Sequence, residues 1–376
     1  MAKGFYIGVD NVARKCKKAY IGIDGVAKKI KKMYIGVAGK ARLFFSGGGE
    51  ISYYGTTTTN LNDARNYMGS ASVGYYALIA GGSTTRSMFN TVDVYDSSLT
   101  HSTASNLSVT RYSLSGTNVG DYALFFGGSN SLTNTNSGQT VIDAYSSSLT
   151  KASVTSLAAG TGRYSGTAVS IGDHALYAGG TNGGGMAYID VYDSLLTRKN
   201  ILYLSEAKYD LSSTSNGTYA FIGGGYGTPK VDVFDESLTK VSEPVEDLIY
   251  AHSESGDLCP AASAGDYAIF TVDHINRFAY DSSLTRIAIE TNSKDSRYGA
   301  GVSLGGYAII AGGTDASNNA YNAVQVYDDS LTCTDFELET ARAKSAGVTV
   351  GDYALIAGGT NSTTTFYDSV EVFQLD

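Results

Sequence analysis

The chain has 376 residues, with 45 Gly and 29 Tyr against 3 Pro and no Trp, a composition of short strands and tight turns that excludes a helical bundle and a disordered chain. Its net charge of −9 is unevenly spread: residues 1–49 hold 11 Lys/Arg and 2 Asp/Glu, the remainder 16 and 34. Cys16, Cys259 and Cys333 stand far apart without CxxC spacing, which excludes a disulfide framework and a zinc knuckle, and the lack of a leader-like start or of an apolar run of about 18 residues predicts neither secretion by a standard signal nor membrane insertion.

The basic segment repeats with a period of 14: YIGVDNVARKCKKA from Tyr6, YIGIDGVAKKIKKM from Tyr20 and YIGVAGKARLFF from Tyr34. Each copy predicts a hairpin, with a YIGV strand, a two-residue turn (Asp10-Asn11, Asp24-Gly25, Ala38-Gly39) and a second strand in which Lys alternates with apolar residues. Cys16 falls where the other copies have Ile30 and Phe44, so it reads as an apolar position. Isolated hairpins bury little, which predicts that this head docks on copies of itself or on a larger assembly. Lysines spaced along strands, instead of gathered in a disordered basic tail, argue against nucleic acid. SGGGE at 46–50 is the expected hinge between a head, residues 1–49, and a body, residues 50–376. The YIGVDGVA-type pattern resembles N-terminal segments of tail-associated and other structural proteins of phages and prophages, over about 45 residues.

Next in the chain, ISYYGTTTTNLNDAR at 51–65 reads as an outer strand without a blade of its own. Seven copies of one nonapeptide follow, from GYYALIAGG at Gly74 to GDYALIAGG at Gly351, spaced 46, 52, 45, 48, 40 and 46 residues apart. A second motif of the VDVYDSSLT kind trails each copy, and the last of these, VEVFQLD, ends the chain one strand short. Each unit predicts four strands: an alternating Ser/Ala/Val strand, an apolar strand closing on Gly-Gly, the VDVYD strand, and a Ser/Thr-rich outer strand beyond the DSSLT turn. The Asp of that turn is expected to close an Asx-turn. Four-stranded units at this period predict an all-β, seven-bladed propeller whose seventh blade is completed by residues 51–65.

The apolar strand closing on Gly-Gly and the aromatic strand after it resemble the kelch-type propellers, including the galactose oxidase family, over residues 50–376. The chain departs from kelch repeats in having no Trp for the fourth strand. The resemblance implies that the four-to-one crossovers and the two-to-three loops share the partner-binding face around the channel mouth. The crossovers carry Arg65, Arg111, Arg163, Lys208, Arg297 and Arg342, nearly all nine residues before the first glycine of a copy, and Tyr112, Tyr164, Tyr209 and Tyr298 follow directly. Guanidiniums beside phenols suit anionic or sugar-like ligands. Pairing of the same cations with neighbouring blades stays open as the alternative. The loops STTRSMFN, SNSLTNTNSGQ, TNGGGMA, YGTPK and TDASNNAYN vary in length and are rich in polar residues, as recognition loops tend to be.

The Gly-Asp turns and the DSSLT turns make the opposite face acidic, with Asp closing turns instead of binding calcium, since no DxDxDG loop is present. Copper-radical chemistry of the galactose oxidase kind needs two His, two Tyr and a Cys at the mouth, and this chain has 4 His with no Tyr-His pair. Hydrolase, P-loop and dinucleotide motifs are absent. Blade five alone is irregular, with Thr271-Val272 for Gly-Gly, a short DHINR loop, and His252, Cys259, Asp273 and His274 in one unit; repeat degeneration outweighs a metal site there. The expected protein is thus a non-catalytic adhesion propeller without cofactor, displayed on a phage particle or similar assembly after synthesis in the bacterial cytoplasm, and contacting a host-surface glycan or protein. The alternatives are a carbohydrate-active enzyme of the galactose oxidase or lyase kind and a cytoplasmic protein-binding adaptor.

Overall fold

The computed structural model describes the chain outside residues 1–5, 10–11, 16–18, 24–25, 31, 38–39, 47–48, 243–244, 249–258, 273–275, 290–295, 316 and 362–363, and between residues 6 and 46 it describes strands and their pairing only. Three antiparallel pairs occupy the basic segment: Tyr6–Val9 with Val12–Lys15, Ala19–Ile23 with Val26–Ile30, and Lys32–Val37 with Lys40–Ser46. The turn residues expected to join them, and Cys16, lie outside the described residues.

Seven antiparallel sheets follow, and they form a seven-bladed β-propeller. Blades one to six span residues 69–103, 115–152, 167–208, 212–235, 261–289 and 300–337, with strands in chain order across each sheet. The seventh blade takes strands Ala346–Val350, Tyr353–Ala357 and Val370–Leu375 from the C-terminal end and its outermost strand, Ile51–Thr56, from the other end of the body. Closure is therefore a strand pairing between distant parts of the chain. Gly49 already belongs to this closed ring, because its carbonyl accepts from the Tyr307 hydroxyl at 2.8 Å and no room remains for a side chain beside Asp376.

Each repeated residue type has a visible physical reason. On strand one, small hydroxyl residues reach sideways to the next blade around the channel: Ser70 Oγ donates to the Gly347 carbonyl at 2.8 Å, Ser115 Oγ to the Gly166 carbonyl at 2.6 Å, and Thr167 and Ser213 meet at 2.6 Å. Strand two is buried from its second residue on, as in Ala77, Leu78, Ile79 and Ala80 at 0% exposure. Its residues point alternately into the two flanking junctions, so seven separate apolar clusters form, one between each pair of adjacent blades. The tyrosine of VDVYD fills the same junctions and ties its hydroxyl to the preceding crossover, from Tyr95 to the Thr59 carbonyl, Tyr145 to Ser105 and Tyr280 to Glu246, each at 2.7 Å. In these three blades tyrosine thereby supplies the large core aromatic and satisfies its one polar atom.

The Gly-Gly pair is set by the neighbouring blade. Gly81 has φ 66° and a Cβ there would lie 2.6 Å from the Arg111 carbonyl, while Gly82 donates its N–H to that same carbonyl at 2.9 Å. The arrangement recurs at Gly128 with Arg163, Gly180 with Lys208, Gly313 with Arg342 and, across the closure, Gly359 with Arg65. Gly81→Ala is expected to cost at least ~2 kcal/mol, because it forces a non-glycine residue into left-handed backbone and pushes a blade junction apart. A chemical-denaturation midpoint unchanged from wild type would contradict this.

Candidate ligand-binding mouth

The crossover cations do not face solvent. Arg65, Arg111, Arg163, Lys208 and Arg342 are each 0% exposed, and each pairs with the acid at the second position of the VDVYD strand in its own blade. Arg65 reaches Asp93 at 2.5 Å, Arg111 reaches Asp143 at 2.8 Å, Arg163 reaches Asp190 at 2.8 Å, Lys208 reaches Asp232 at 3.1 Å and Arg342 reaches Glu371 at 2.7 Å. Those acids also accept backbone N–H groups from the incoming crossover, Asn62 to Asp93 at 3.0 Å, Ser205 to Asp232 at 2.9 Å and Glu339 to Glu371 at 2.7 Å. In three blades a second side chain, from just beyond the DSSLT-type turn, closes on the acid from outside: the His101 ring at 2.7 Å, Lys151 at 2.6 Å and Lys240 at 2.6 Å. Burial works to raise the Asp143 carboxyl, but Arg111, Lys151 and Ser108 together hold it below the usual carboxylate range. Such a network fixes each crossover to the blade it enters, and it leaves the guanidiniums no lone pair of a ligand to meet.

Arg297, also expected at the mouth, belongs to a different register. Its backbone bridges Thr314, as Tyr112 bridges Ser129 and Tyr164 bridges Thr181, so it occupies the position that holds tyrosine in blades two and three. It is 4% exposed and donates to the Asp315 carbonyl. Ser296 stands at the cation position of blade six, and Gln325 replaces the acid. In blade five Phe278 stands where the acid would be, and residues 249–276 contain neither Arg nor Lys. The pair is kept or lost as a unit.

The tyrosines behave otherwise. One residue beyond the tyrosine position, six blades place Tyr67, Ser113, Ser165, Asp210, Tyr298 and Lys344 in left-handed backbone with φ from 50° to 58°. The strain has a purpose in the fold: the N–H of five of these residues bonds to the carbonyl of the counterpart one blade before, Lys344 to Tyr298 at 2.7 Å, Tyr67 to Lys344 at 3.1 Å, Ser113 to Tyr67 at 3.0 Å, Ser165 to Ser113 at 3.1 Å and Asp210 to Ser165 at 2.9 Å. A run of backbone hydrogen bonds from blade six round to blade four thus follows the channel mouth. The equivalent of blade five, Leu258, lies outside the described residues.

Two adjacent hollows open on this mouth. The inner one, about 230 Å³, sits at the head of the channel between Tyr67, Ser113, Ser165, Ser213, Tyr298 and Lys344. A wider bowl of about 540 Å³ lies over blades one to four, where Tyr67, Tyr112, Tyr164 and Tyr209 meet Asp210 and the loop residues Thr135, Gly183 and Gly184. Its aromatic walls are braced, with Tyr67 and Tyr112 ring centroids 6.3 Å apart and Tyr209 stacked on Tyr226 at 5.2 Å. Burial, with Tyr112, Asp210 and Tyr209 nearby, raises the Tyr164 phenol above its usual range, so its hydroxyl is a neutral donor at pH 7. Of the residues singled out in the crossovers, Tyr112, Tyr164, Tyr209 and Tyr298 line the hollows and the cations do not. Tyr67, Asp210 and Lys344 escaped the sequence reading because they sit one position past the repeated Arg-Tyr pair and differ from blade to blade.

On the opposite face the turn aspartates do close Asx-turns, as in Asp96 Oδ1 accepting from the Ser98 and Thr100 N–H groups at 2.8 and 2.9 Å. In blade five Cys259 is buried at 2% exposure, and His252, Asp273 and His274 lie outside the described residues.

No family model and no curated protein matches the chain. Among solved structures, that of YjhT superposes with a TM-score of 0.54 at 12% sequence identity, covering 84% of this chain and 99% of that one. At such identity the likeness extends to the fold alone.

Proposed function

We propose that the chain is a non-catalytic binding propeller that recognises a saccharide at the tyrosine-lined mouth. The observation that carries this reading is the adjacent pair of hollows, of which Tyr67, Tyr112, Tyr164 and Tyr209 together line the wider bowl. Aromatic faces stack on the apolar face of a sugar ring, while Ser and Thr hydroxyls suit its equatorial groups. Against catalysis stands the carboxylate count: Asp210 is the single carboxylate among the described lining residues, whereas most glycoside hydrolysis uses two. The kelch-like repeats agree with partner binding at this face. The resemblance of the head to phage structural proteins supports display on a phage particle or similar assembly, with the ligand on a host surface.

A glycan array probed with the full chain tests the reading, beside a variant carrying Tyr112→Ala, Tyr164→Ala and Tyr209→Ala. Retention of a defined set of saccharides by the native chain and at least ~100-fold weaker binding by the folded variant is the expected result, from the loss of about 1–1.5 kcal/mol per stacked ring. An array on which no saccharide is retained, or on which the variant binds equally well, would overturn it.

A further inference from the structure

We propose that Lys344 is the anion-binding residue of this mouth, so that the saccharide it takes carries a carboxylate. This deepens the reading above and rests on it. The five crossover cations, each 0% exposed, have an acid of their own. Lys344, half-buried at the mouth, has none among the described residues. Its ammonium lies between two phenol rings, 5.1 Å from the Tyr67 centroid and 4.6 Å from that of Tyr298, and no carboxylate pairs with it among the described residues. Burial lowers its pKa. An ammonium that is partly desolvated and aimed into a cavity gains more from an incoming anion than a hydrated one.

The surroundings say what kind of anion fits. Two aromatic faces hold the stem and head of Lys344 in place, so the cation is pre-positioned. Beside it the Ser345 hydroxyl is buried without a hydrogen-bond partner, and the hydroxyls of Ser113, Ser165, Ser212 and Ser213 line the same hollow. A fixed positive charge surrounded by small hydroxyls matches a compact group bearing one negative charge and several hydroxyls. At about 230 Å³ the inner hollow is below the size of a drug-sized pocket, and it suits one terminal ring whose remaining units continue over the tyrosines of the bowl. Asp210, on the far side in blade four, places a negative charge there and disfavours an anion at that end, which orients the ligand with its carboxylate toward blade seven.

The test uses the full chain and paired oligosaccharides, each ending in a hexuronate or in the neutral hexose of the same stereochemistry. Affinities are measured by calorimetry for the native protein, K344M and K344R, after circular dichroism and melting temperature establish that each variant is folded. The expected result is a hexuronate preference of ~10-fold or more in the native chain, abolished in K344M and partly restored in K344R. Equal affinities for the two members of every pair, or a preference that survives K344M, would overturn the inference while leaving saccharide binding intact. Binding of an acidic peptide such as oligoglutamate, abolished by K344M, with no saccharide bound, would overturn both.

Discussion

Arg163→Ala is expected to destabilise the protein by about 3–5 kcal/mol, because it strips the partner from a carboxylate that has no water to turn to. Arg163 and Asp190 are both 0% exposed and lie 2.8 Å apart. The guanidinium also donates to the carbonyls of Gly179 at 2.6 Å, Thr161 at 2.9 Å and Tyr177 at 2.9 Å, and it lies 4.5 Å from the Tyr177 ring centroid. Removing it orphans an acid and three carbonyls at one blade junction. Asp190→Leu leaves the guanidinium unpaired and should cost a similar amount. The double variant Arg163→Met with Asp190→Leu should recover most of the loss, since two apolar side chains of comparable volume leave no buried charge. Urea-unfolding midpoints of the four proteins give the coupling directly. Additive losses in the double variant would show that the pair is not the unit described.

The second large effect concerns closure. A chain beginning at residue 58 lacks the strand Ile51–Thr56, and with it the outermost pairing of blade seven from Ile51 opposite Leu375 to Thr56 opposite Glu371. It loses the buried side chain of Ile51, the Tyr53 ring set edge-on to Phe373 at 5.3 Å, and the 2.9 Å hydrogen bond from the Tyr53 hydroxyl to Glu371. Together these are expected to cost on the order of 5 kcal/mol relative to a chain beginning at residue 49, a large part of the stability of an ordinary domain. Differential scanning calorimetry of the two shortened chains reads the difference, and the chain beginning at residue 49 removes the head from the comparison. Coincident melting temperatures would mean that the ring does not need its latch.

The fold was legible in the sequence because a propeller writes the same physical problem seven times. Gly-Gly, VDVYD and DSSLT recur since every blade must receive a neighbour's carbonyl, fill a junction and turn tightly, and the orphan strand at 51–65 matched the missing strand of the last copy. The site was less legible for the same reason. Repetition marks what all blades share, so Arg111, Arg163 and their equivalents stood out, and they proved to be shared structural cations taken up by Asp143, Asp190 and the other strand-three acids. A signal for this was present: the acid of VDVYD and the crossover cation vanish together in blades five and six. Recognition needs positions that differ between blades, and the ring of Tyr67, Ser113, Ser165, Asp210, Tyr298 and Lys344 is uniform only in backbone conformation, which spacing alone does not reveal.

Structural cations and mouth-lining tyrosines lie a single residue apart in the chain, and one binding measurement separates the two. The saccharide best retained on the array is titrated by calorimetry into the native chain, the Arg163→Met/Asp190→Leu variant and the Tyr112→Ala/Tyr164→Ala/Tyr209→Ala variant, all verified as folded. Native affinity in the pair variant, with binding lost from the tyrosine variant, is the predicted result. Binding lost with the ion pair and kept without the tyrosines would place recognition on the cations and contradict the account.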